Sequence, residues 1–331
     1  MAFIRGQRTI VPPVDVLPPA QVLTTRWIER NLSPILWRRL RTIRWLAIHQ
    51  LISNNMQCGG CVNVMMTFCR CAQSGDRFVW RCRLCKSKTT IRRGSFFAGS
   101  HLPLWKIITM VYKWCFEVPQ RYIMREVSLT RNETMVEWAN VCRNICIHWY
   151  HNADPIELGG MDDNNEPRDV EIDETFYFHR KYHRGARHGG KWVFGAVERG
   201  SGRCLLQEVV HRDAATLLPI IQRNILPGTR IISDGWAAYR NISNINNGQY
   251  VHEIVNHRVN FVDPIEPTIH TQTIEGLWQI AKAKLRRQHG TSRHLFPTYI
   301  YEIMWRRNCC YVTQTDAFSS FLVAINERYP V

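Results

Sequence analysis

The C-terminal part of this 331-residue chain is predicted to fold as an α/β domain, and three observations carry that prediction. First, "VEIDETFYF" (170–178) alternates as a strand does. Val170, Ile172, Glu174 and Phe176 share one face, and Glu171, Asp173, Thr175 and Tyr177 share the other. Second, "KWVFGAVER" and "RCLLQEVVHR" flank a tight "GSG" turn and read as the next two strands of an antiparallel meander. "AATLLPIIQRNI" then reads as a helix, "TRIISDGWAAY" as a strand ending at Asp234, and "YVHEIVNH" as a fifth strand. Third, "HTQTIEGLWQIAKAKLRR" (270–287) places Ile274, Leu277, Trp278, Ala281 and Leu285 on the apolar stripe of a packed helix. A second row on that helix, Glu275, Gln279, Lys282 and Arg286, begins with a lone acid and continues into bases. Complementing the helix macrodipole would alone account for such a row.

Ahead of this domain the cysteines mark a separate module. Six of the chain's 12 cysteines fall between Cys58 and Cys85. "CGGC" and "CRLC" form two C-x2-C knuckles 20 residues apart, a spacing that brings Cys58, Cys61, Cys82 and Cys85 to one tetrahedral Zn²⁺ in a zinc ribbon. Phe78, Val79 and Trp80 suit a hairpin strand before the second knuckle. Cys69 and Cys71 offer a poorer C-x-C chelate and are read as spectators. Cys115, Cys142, Cys146, Cys204, Cys309 and Cys310 sit in apolar surroundings and read as small core residues.

Helices fill the rest of the N-terminal part. Residues 27–51 read as one or two basic amphipathic helices around Pro34, by preference packed with a solvated arginine face, the alternative being contact with DNA or another protomer. Residues 105–116 read as another helix, halted near Pro119. A short helix ending near Val127, the turn "SLTRN" and a longer helix from about Glu133 to Trp149 match a helix-turn-helix. Met135, Trp138, Val141, Cys142, Ile145 and Trp149 would be its buried stripe, and Arg131, Asn132 and Thr134 would face a DNA groove. The expected organisation is therefore a basic helical segment (1–52), a zinc ribbon (53–100), a helix-turn-helix segment (101–153), an acidic solvated linker (154–169) and the α/β domain (170–331).

Charge narrows the function. The formal net charge is +16, although "DPIELGGMDDNNEPRD" alone holds six acids against one arginine. A chain this basic favours a polyanionic partner, and nucleic acid is preferred because no basic anchor with a lipidation signal is evident. No apolar run approaches 18 residues and the first 21 residues lack the apolar core of a signal peptide, so no membrane association is expected.

The order βββαβ followed by further helices is that of the ribonuclease H-like fold, in which the first strand lies beside the fourth. Asp173 and Asp234 then become neighbours, and Glu275 joins them from the head of the later helix. Three carboxylates converging there suit two Mg²⁺ or Mn²⁺ ions and phosphodiester chemistry. The stretches "VEIDET", "KYHRG", "WVFGAVERGSGR", "RDAATLLPIIQ", "PGTRIISDGWAAY", "VNHRVNFVDP", "HTQTIEGLWQIAKAKLRR" and "GTSRHLFPTYIYEIMWR" resemble the Merlin family of DDE transposases and its bacterial insertion-sequence relatives with an ISXO2-like DDE domain. The knuckles and the helix-turn-helix resemble the N-terminal half of that family less tightly.

The resemblance implies a nuclear enzyme for cut-and-paste DNA transposition, working as a homodimer or larger assembly on the double-stranded DNA of terminal inverted repeats and target. It carries the catalytic acids onto Asp173, Asp234 and Glu275, a basic helper onto Lys282 and an auxiliary role onto His257, with Lys282 and Arg286 toward DNA. The alternatives are a domesticated DNA-binding regulator without catalysis, and a nuclease that does not transpose. Cys69, Cys71 and the acidic insertion around Met161 depart from the family pattern, away from the acids.

Overall fold

The computed structural model describes residues 6–178, 190–255, 268–287, 290–311 and 313–331. It divides into two compact units, Met1–Trp149 with Gln314–Val331, and Tyr150–Thr313.

In the first unit α1 (Pro19–Leu23), α2 (Glu29–Leu36) and α3 (Arg39–Ile48) precede the cysteine module. The break expected around Pro34 falls later, at Trp37–Arg38, because Pro34 is accommodated inside α2. β1 (Thr67–Arg70), β2 (Phe78–Arg81) and β3 (Lys88–Thr90) form an antiparallel sheet in which Phe68 faces Trp80. Phe68 and Phe78 stack at 5.0 Å in its core. Behind the sheet, Arg92 forks onto Asp76 through Nε (2.7 Å) and Nη2 (2.6 Å), so that both buried charges are paired. α4 (Leu104–Cys115), α5 (Gln120–Glu126) and α6 (Asn132–Asn152) follow. On α6 the stripe Met135, Trp138, Cys142 and Ile145 is buried as expected, while Val141 and Trp149 are only half-buried.

In the second unit the chain runs through β4 (Leu158–Gly159), β5 (Asp169–Tyr177), β6 (Lys191–Glu198), β7 (Cys204–Val209), α7 (Ala214–Asn224), β8 (Ile225–Leu226), β9 (Arg230–Asp234), β10 (Val251–Val255), α8 (Gln272–Arg287) and α9 (Phe296–Trp305). The main sheet has the order β10-β9-β5-β6-β7. β5, β6 and β7 are antiparallel, whereas β9 runs parallel to β5 and β10 parallel to β9. This places the first strand at the centre beside the fourth, which is the ribonuclease H-like arrangement. Asp213 caps α7 by accepting from Thr216 N (2.9 Å).

Two boundaries differ from the sequence reading. The last helix, α10 (Ala317–Arg328), was expected within the α/β domain but belongs to the first unit. There Phe318 stacks parallel to Trp45 at 6.2 Å and Ser319 Oγ donates to Thr25 O at 2.5 Å. Its apolar spacing, Phe318, Phe321, Leu322 and Ile325, specifies a buried face without specifying which core buries it. The acidic stretch is also not a fully solvated linker. Leu158, Gly159 and Gly160 are buried, β4 pairs with β8, Gly159 N donates to Glu198 Oε2 (2.7 Å), and Gly160 N donates to Thr229 Oγ1 (2.7 Å). The acids occupy the remainder, where Asp162 Oδ1 closes a turn by accepting from Asn164 N and Glu166 N (2.9 Å each).

α8 lies across β5 and β6 with Ile274, Leu277, Trp278, Ala281 and Leu285 buried. It can approach because β6 carries Gly195, whose position a Cβ would occupy 2.5 Å from the Trp278 ring and 3.1 Å from Ile274 Cδ1. Gly195→Ala is therefore expected to push the indole off the sheet and destabilise the unit by about 1–3 kcal/mol, as overpacking does. Urea denaturation would measure it, and a wild-type midpoint would show that the helix has slack at this point.

Candidate active site and metal centre

The acid site is assembled on both sides of β5. Tracing the face that meets α8, Glu171 comes first, Asp173 next and Tyr177 last. Glu171 is fully buried. It accepts from Thr273 Oγ1 (2.8 Å) and Ile274 N (2.9 Å), capping the first turn of α8 with a carboxylate that also suits the helix dipole. Arg199 holds the same carboxylate through Nε (2.5 Å) and spans to Asp169 (3.2 Å), which Arg230 also clamps at 2.7 and 2.8 Å. Arg199 further donates to the carbonyls of Thr268 and His270 at 2.5 Å each, fixing the approach to α8.

One step along the face, Asp173 Oδ2 accepts from Trp278 Nε1 at 2.9 Å. The β5–β9 register pairs Val170 with Ile231 and Glu171 with Ile232; carried two residues on, it sets Asp173 beside Asp234 at the end of β9. Burial pushes the Asp173 carboxyl up to about 7, against the pull of the Trp278 and Glu174 hydrogen bonds, and the Asp234 and Glu174 charges add to the rise. Lys282 lies 5.9 Å over the Tyr177 ring and feels the Asp173 charge. Burial holds Lys282 below its usual value, a fall that Asp173 opposes and Arg286 reinforces. Arg286 itself is exposed.

Glu275 is exposed on the first turn of α8, where Thr271 Oγ1 donates to its Oε1 (3.1 Å). Among the described residues its carboxylate does not close with Asp173 and Asp234 into a group tight enough to share one ion. The structure thus brings Asp173, Asp234 and Lys282 together and keeps Glu275 on the adjoining helix. His257 lies outside the described residues.

The opposite face of β5 holds a second network that sequence reasoning missed. Arg212 forks onto the buried Glu174 Oε2 (3.0 and 2.7 Å), and Tyr239 donates to its other oxygen. The guanidinium is sandwiched between the Trp192 ring (4.1 Å) and the Trp236 ring (4.4 Å). Trp236 returns a hydrogen bond from Nε1 to Arg212 O (3.0 Å), while its N–H donates to Asp234 Oδ1 (3.0 Å). Arg212 therefore holds the turn that presents Asp234. The only sequence signal was an arginine placed just before the α7 cap.

In the first unit the two knuckles meet. The Sγ atoms of Cys58, Cys61, Cys82 and Cys85 all lie within 4.8 Å of one another, with Cys58 and Cys85 3.5 Å apart and Cys82 and Cys61 3.9 Å apart. Four thiolates at tetrahedral Zn–S distances would be separated by about 3.8 Å, so this donor set fits zinc. Cys69 and Cys71 stand outside the cluster, and Cys71 turns to Gln73 Oε1 (3.4 Å). Cys115, Cys142, Cys146 and Cys204 are buried as expected, whereas Cys309 and Cys310 are only partly so. In the proposed helix-turn-helix, Arg131 and Asn132 are exposed and Thr134 half-buried at the head of α6.

Residues 167–308 match the ISXO2-like transposase domain. The matched segment is thus similar to the DDE transposase domains of IS1595-type elements, and it contains Asp173, Asp234, Glu275 and Lys282. The chain is similar to an uncharacterized transposase-like protein of Haemophilus influenzae, at 28% identity over 108 residues covering 32% of this chain and 83% of that protein. It is also similar to male abnormal protein mab-31 of Caenorhabditis elegans, at 28% identity over 185 residues covering 52% of this chain but only 42% of the worm protein. Among solved structures, the catalytic core domain of HTLV-2 integrase in complex with magnesium covers 46% of this chain and 86% of its own, at 12% identity and a TM-score of 0.26. A simian T-cell lymphotropic virus intasome covers 60% of this chain and 67% of its own, at 12% identity and a TM-score of 0.29. The fold assignment rests on the strand order itself.

The raised Asp173 gives a signed pH dependence. Between pH 4 and 7 the folded state holds a proton that the unfolded carboxyl has released, so stability falls as pH rises through that window. With metal chelated, the wild-type protein should lose at most about 4 kcal/mol relative to Asp173→Asn across it. Thermal melts at stepped pH would read the difference between the two proteins, and parallel curves would mean that Asp173 is not held protonated.

Proposed function

We propose that the chain is a DNA transposase that binds the terminal inverted repeats of its element, cleaves their phosphodiester bonds with divalent metal and joins the freed ends to target DNA, in the manner of the Merlin elements its motifs resemble. One observation carries most of this reading. Asp173 in the middle of β5 and Asp234 at the end of the parallel β9 are neighbours within a transposase-type domain, with Lys282 beside them and an exposed acid on the first turn of α8.

The donor set fits Mg²⁺ or Mn²⁺: hard carboxylate oxygens, two of them on neighbouring strands, in a region where burial already disfavours uncompensated negative charge. When bound, such ions supply Lewis-acid activation of the attacking oxygen and stabilisation of the leaving oxygen. The chain's own groups do the rest. Glu171 and Arg199 hold α8 against β5, Trp278 fixes the Asp173 carboxylate, Arg212 and Trp236 fix Asp234, and Lys282 offers a cation to a DNA phosphate near the acids. Glu275 would complete the ligand set by a rotamer change on the first turn of α8.

In the first unit the four cysteines would hold one structural Zn²⁺, and α5 with the head of α6 would read DNA as a helix-turn-helix through Arg131, Asn132 and Thr134. Two element ends must be processed together, so the working form on DNA is expected to be a dimer or larger, and its setting the nucleus. A regulator derived from such an enzyme would keep DNA binding and lose cutting; the presence of all three acids supports the enzyme instead.

Glu275→Gln is expected to abolish cleavage and strand transfer on DNA bearing the element's ends while leaving thermal stability and end binding near wild type. An active Glu275→Gln protein would remove Glu275 from the catalytic set. Zinc content offers a separate check on the other unit. About one equivalent of metal should copurify with the wild-type protein, and Cys82→Ser should lose it with destabilisation of the ribbon, whereas unchanged zinc would place the metal elsewhere.

A further inference from the structure

The head of α3 presents a run of exposed arginines. Thr42, Ile43, Trp45, Leu46 and Ala47 are buried, whereas Arg38 at the N-cap and Arg39, Arg41 and Arg44 within the helix are all exposed, Arg41 and Arg44 on the side away from the buried residues. Among the described residues none of the four is paired with a carboxylate. The sequence from Arg30 to Gly75 contains no acid at all, and Asp76, which lines a cleft with Arg39, is already held by Arg92. Immediately before this row, Trp37 sits in the α2–α3 corner with 84% of its surface exposed. A large indole held in water beside four unpaired guanidinium groups is costly for stability alone and suits a polyanion with flat apolar surfaces.

The surroundings extend the face in one direction and end it in another. Trp37 and Trp105 flank a groove of about 180 Å³ between α2 and α4, and Arg39 lines a neighbouring cleft with Trp105. Lys106 Nζ lies 5.6 Å over the Trp105 ring and donates to Ser128 O (3.3 Å) in the turn between α5 and α6. The basic surface is thus continuous with the turn that leads to Arg131 at the head of α6. Glu29 and Glu126 also line this groove, and both are held by Lys113, at 3.0 and 3.1 Å.

We propose that the Trp37–Arg44 face, continued by Trp105 and Lys106, is a second DNA-gripping surface that holds the duplex backbone beside the segment read by α5 and α6. The arginines take phosphates, and Trp37 packs its ring against an exposed sugar or base. The inference rests on the reading of the chain as a DNA-binding transposase, and it assigns to α3 a role that the helix-turn-helix does not require.

The two chemistries separate in a salt titration. Each phosphate contact releases counterions and contributes a slope of about −0.9 in log affinity against log salt, whereas a stacked or wedged ring contributes affinity without slope. Binding of the full-length protein to a fluorescent duplex bearing an element end is measured at several salt concentrations. Arg38→Ala, Arg39→Ala, Arg41→Ala and Arg44→Ala combined should reduce the slope by about 2 to 4. Trp37→Ala should weaken binding roughly fivefold or more at every salt concentration with the slope unchanged. Wild-type protein that binds no duplex would overturn the functional reading and this inference with it. Wild-type protein that binds, with a quadruple variant of equal affinity and slope, would overturn the inference alone. A changed oligomeric mass in that variant, with DNA binding intact, would assign the face to a second copy of the chain. Circular dichroism of each variant confirms that the exposed substitutions leave the fold in place.

Discussion

Glu171 is a fully buried carboxylate whose negative charge is answered on two sides, by the Arg199 guanidinium and by the N-terminal turn of α8. Such a group is costly to bury and costly to leave unpaired, so the capture of Thr273 and Ile274 by this one side chain fixes where α8 begins. The rest of the site follows from that start. Once Ile274 is held at the level of Glu171, the helical rise brings Trp278 level with Asp173, and one turn later the long side chain of Lys282 reaches over the Tyr177 ring. Gly195 then removes the Cβ that would keep the Trp278 ring off the sheet. A shift of α8 by one residue would rotate Glu275 away by about 100° and break all three contacts together.

The strand that carries Asp173 is loaded with acids on both faces, and the structure treats them differently. Glu171 and Glu174 are each satisfied by an arginine with several hydrogen bonds, so their charges are internal supports. Asp173 has an indole N–H and a neighbouring carboxylate instead, and burial drives it toward the protonated form. That is the arrangement of a carboxylate kept short of cationic partners, leaving its charge for something outside the polypeptide. Paired supports and an under-compensated Asp173 thus stand within nine residues of one strand.

Much of this was legible in the sequence, and the limits have physical causes. Alternation along 170–178 placed Glu171, Asp173 and Tyr177 on one face because the side-chain period of a strand is two whatever packs on it. The α8 stripe was read residue for residue because its five apolar positions are all buried. Periodicity says which side of an element is buried and not what buries it, which is why α10 was assigned to the wrong core. The acidic stretch misled for a different reason: composition reports the acids, while Leu158, Gly159 and Gly160 between them do the packing. The Arg212 sandwich and the Trp278–Asp173 bond depend on residues distant in sequence meeting at angles that no local pattern encodes. Trp278 is a core residue by its spacing, while its one polar atom serves Asp173 through a contact that spacing does not encode.

The two candidate metal centres differ in ways that bear on how the protein works. The four sulfurs of the ribbon already stand at near-tetrahedral separations, closed on all sides by protein ligands, as a structural zinc site requires. The acid site offers oxygen donors and leaves Glu275 exposed on the adjoining helix, so a cation there would keep positions open for water and phosphate. Soft thiolates and hard carboxylates select different ions, so neither centre depends on excluding the other's metal by affinity alone. The same division separates their consequences. With zinc bound as proposed, loss of metal from the closed site would remove the link between the two knuckles of a small sheet. Under the proposed function, loss of metal from the open site would remove only the compensation of Asp173 and Asp234, and would silence chemistry while Glu171 and Arg199 still hold the β5–α8 frame.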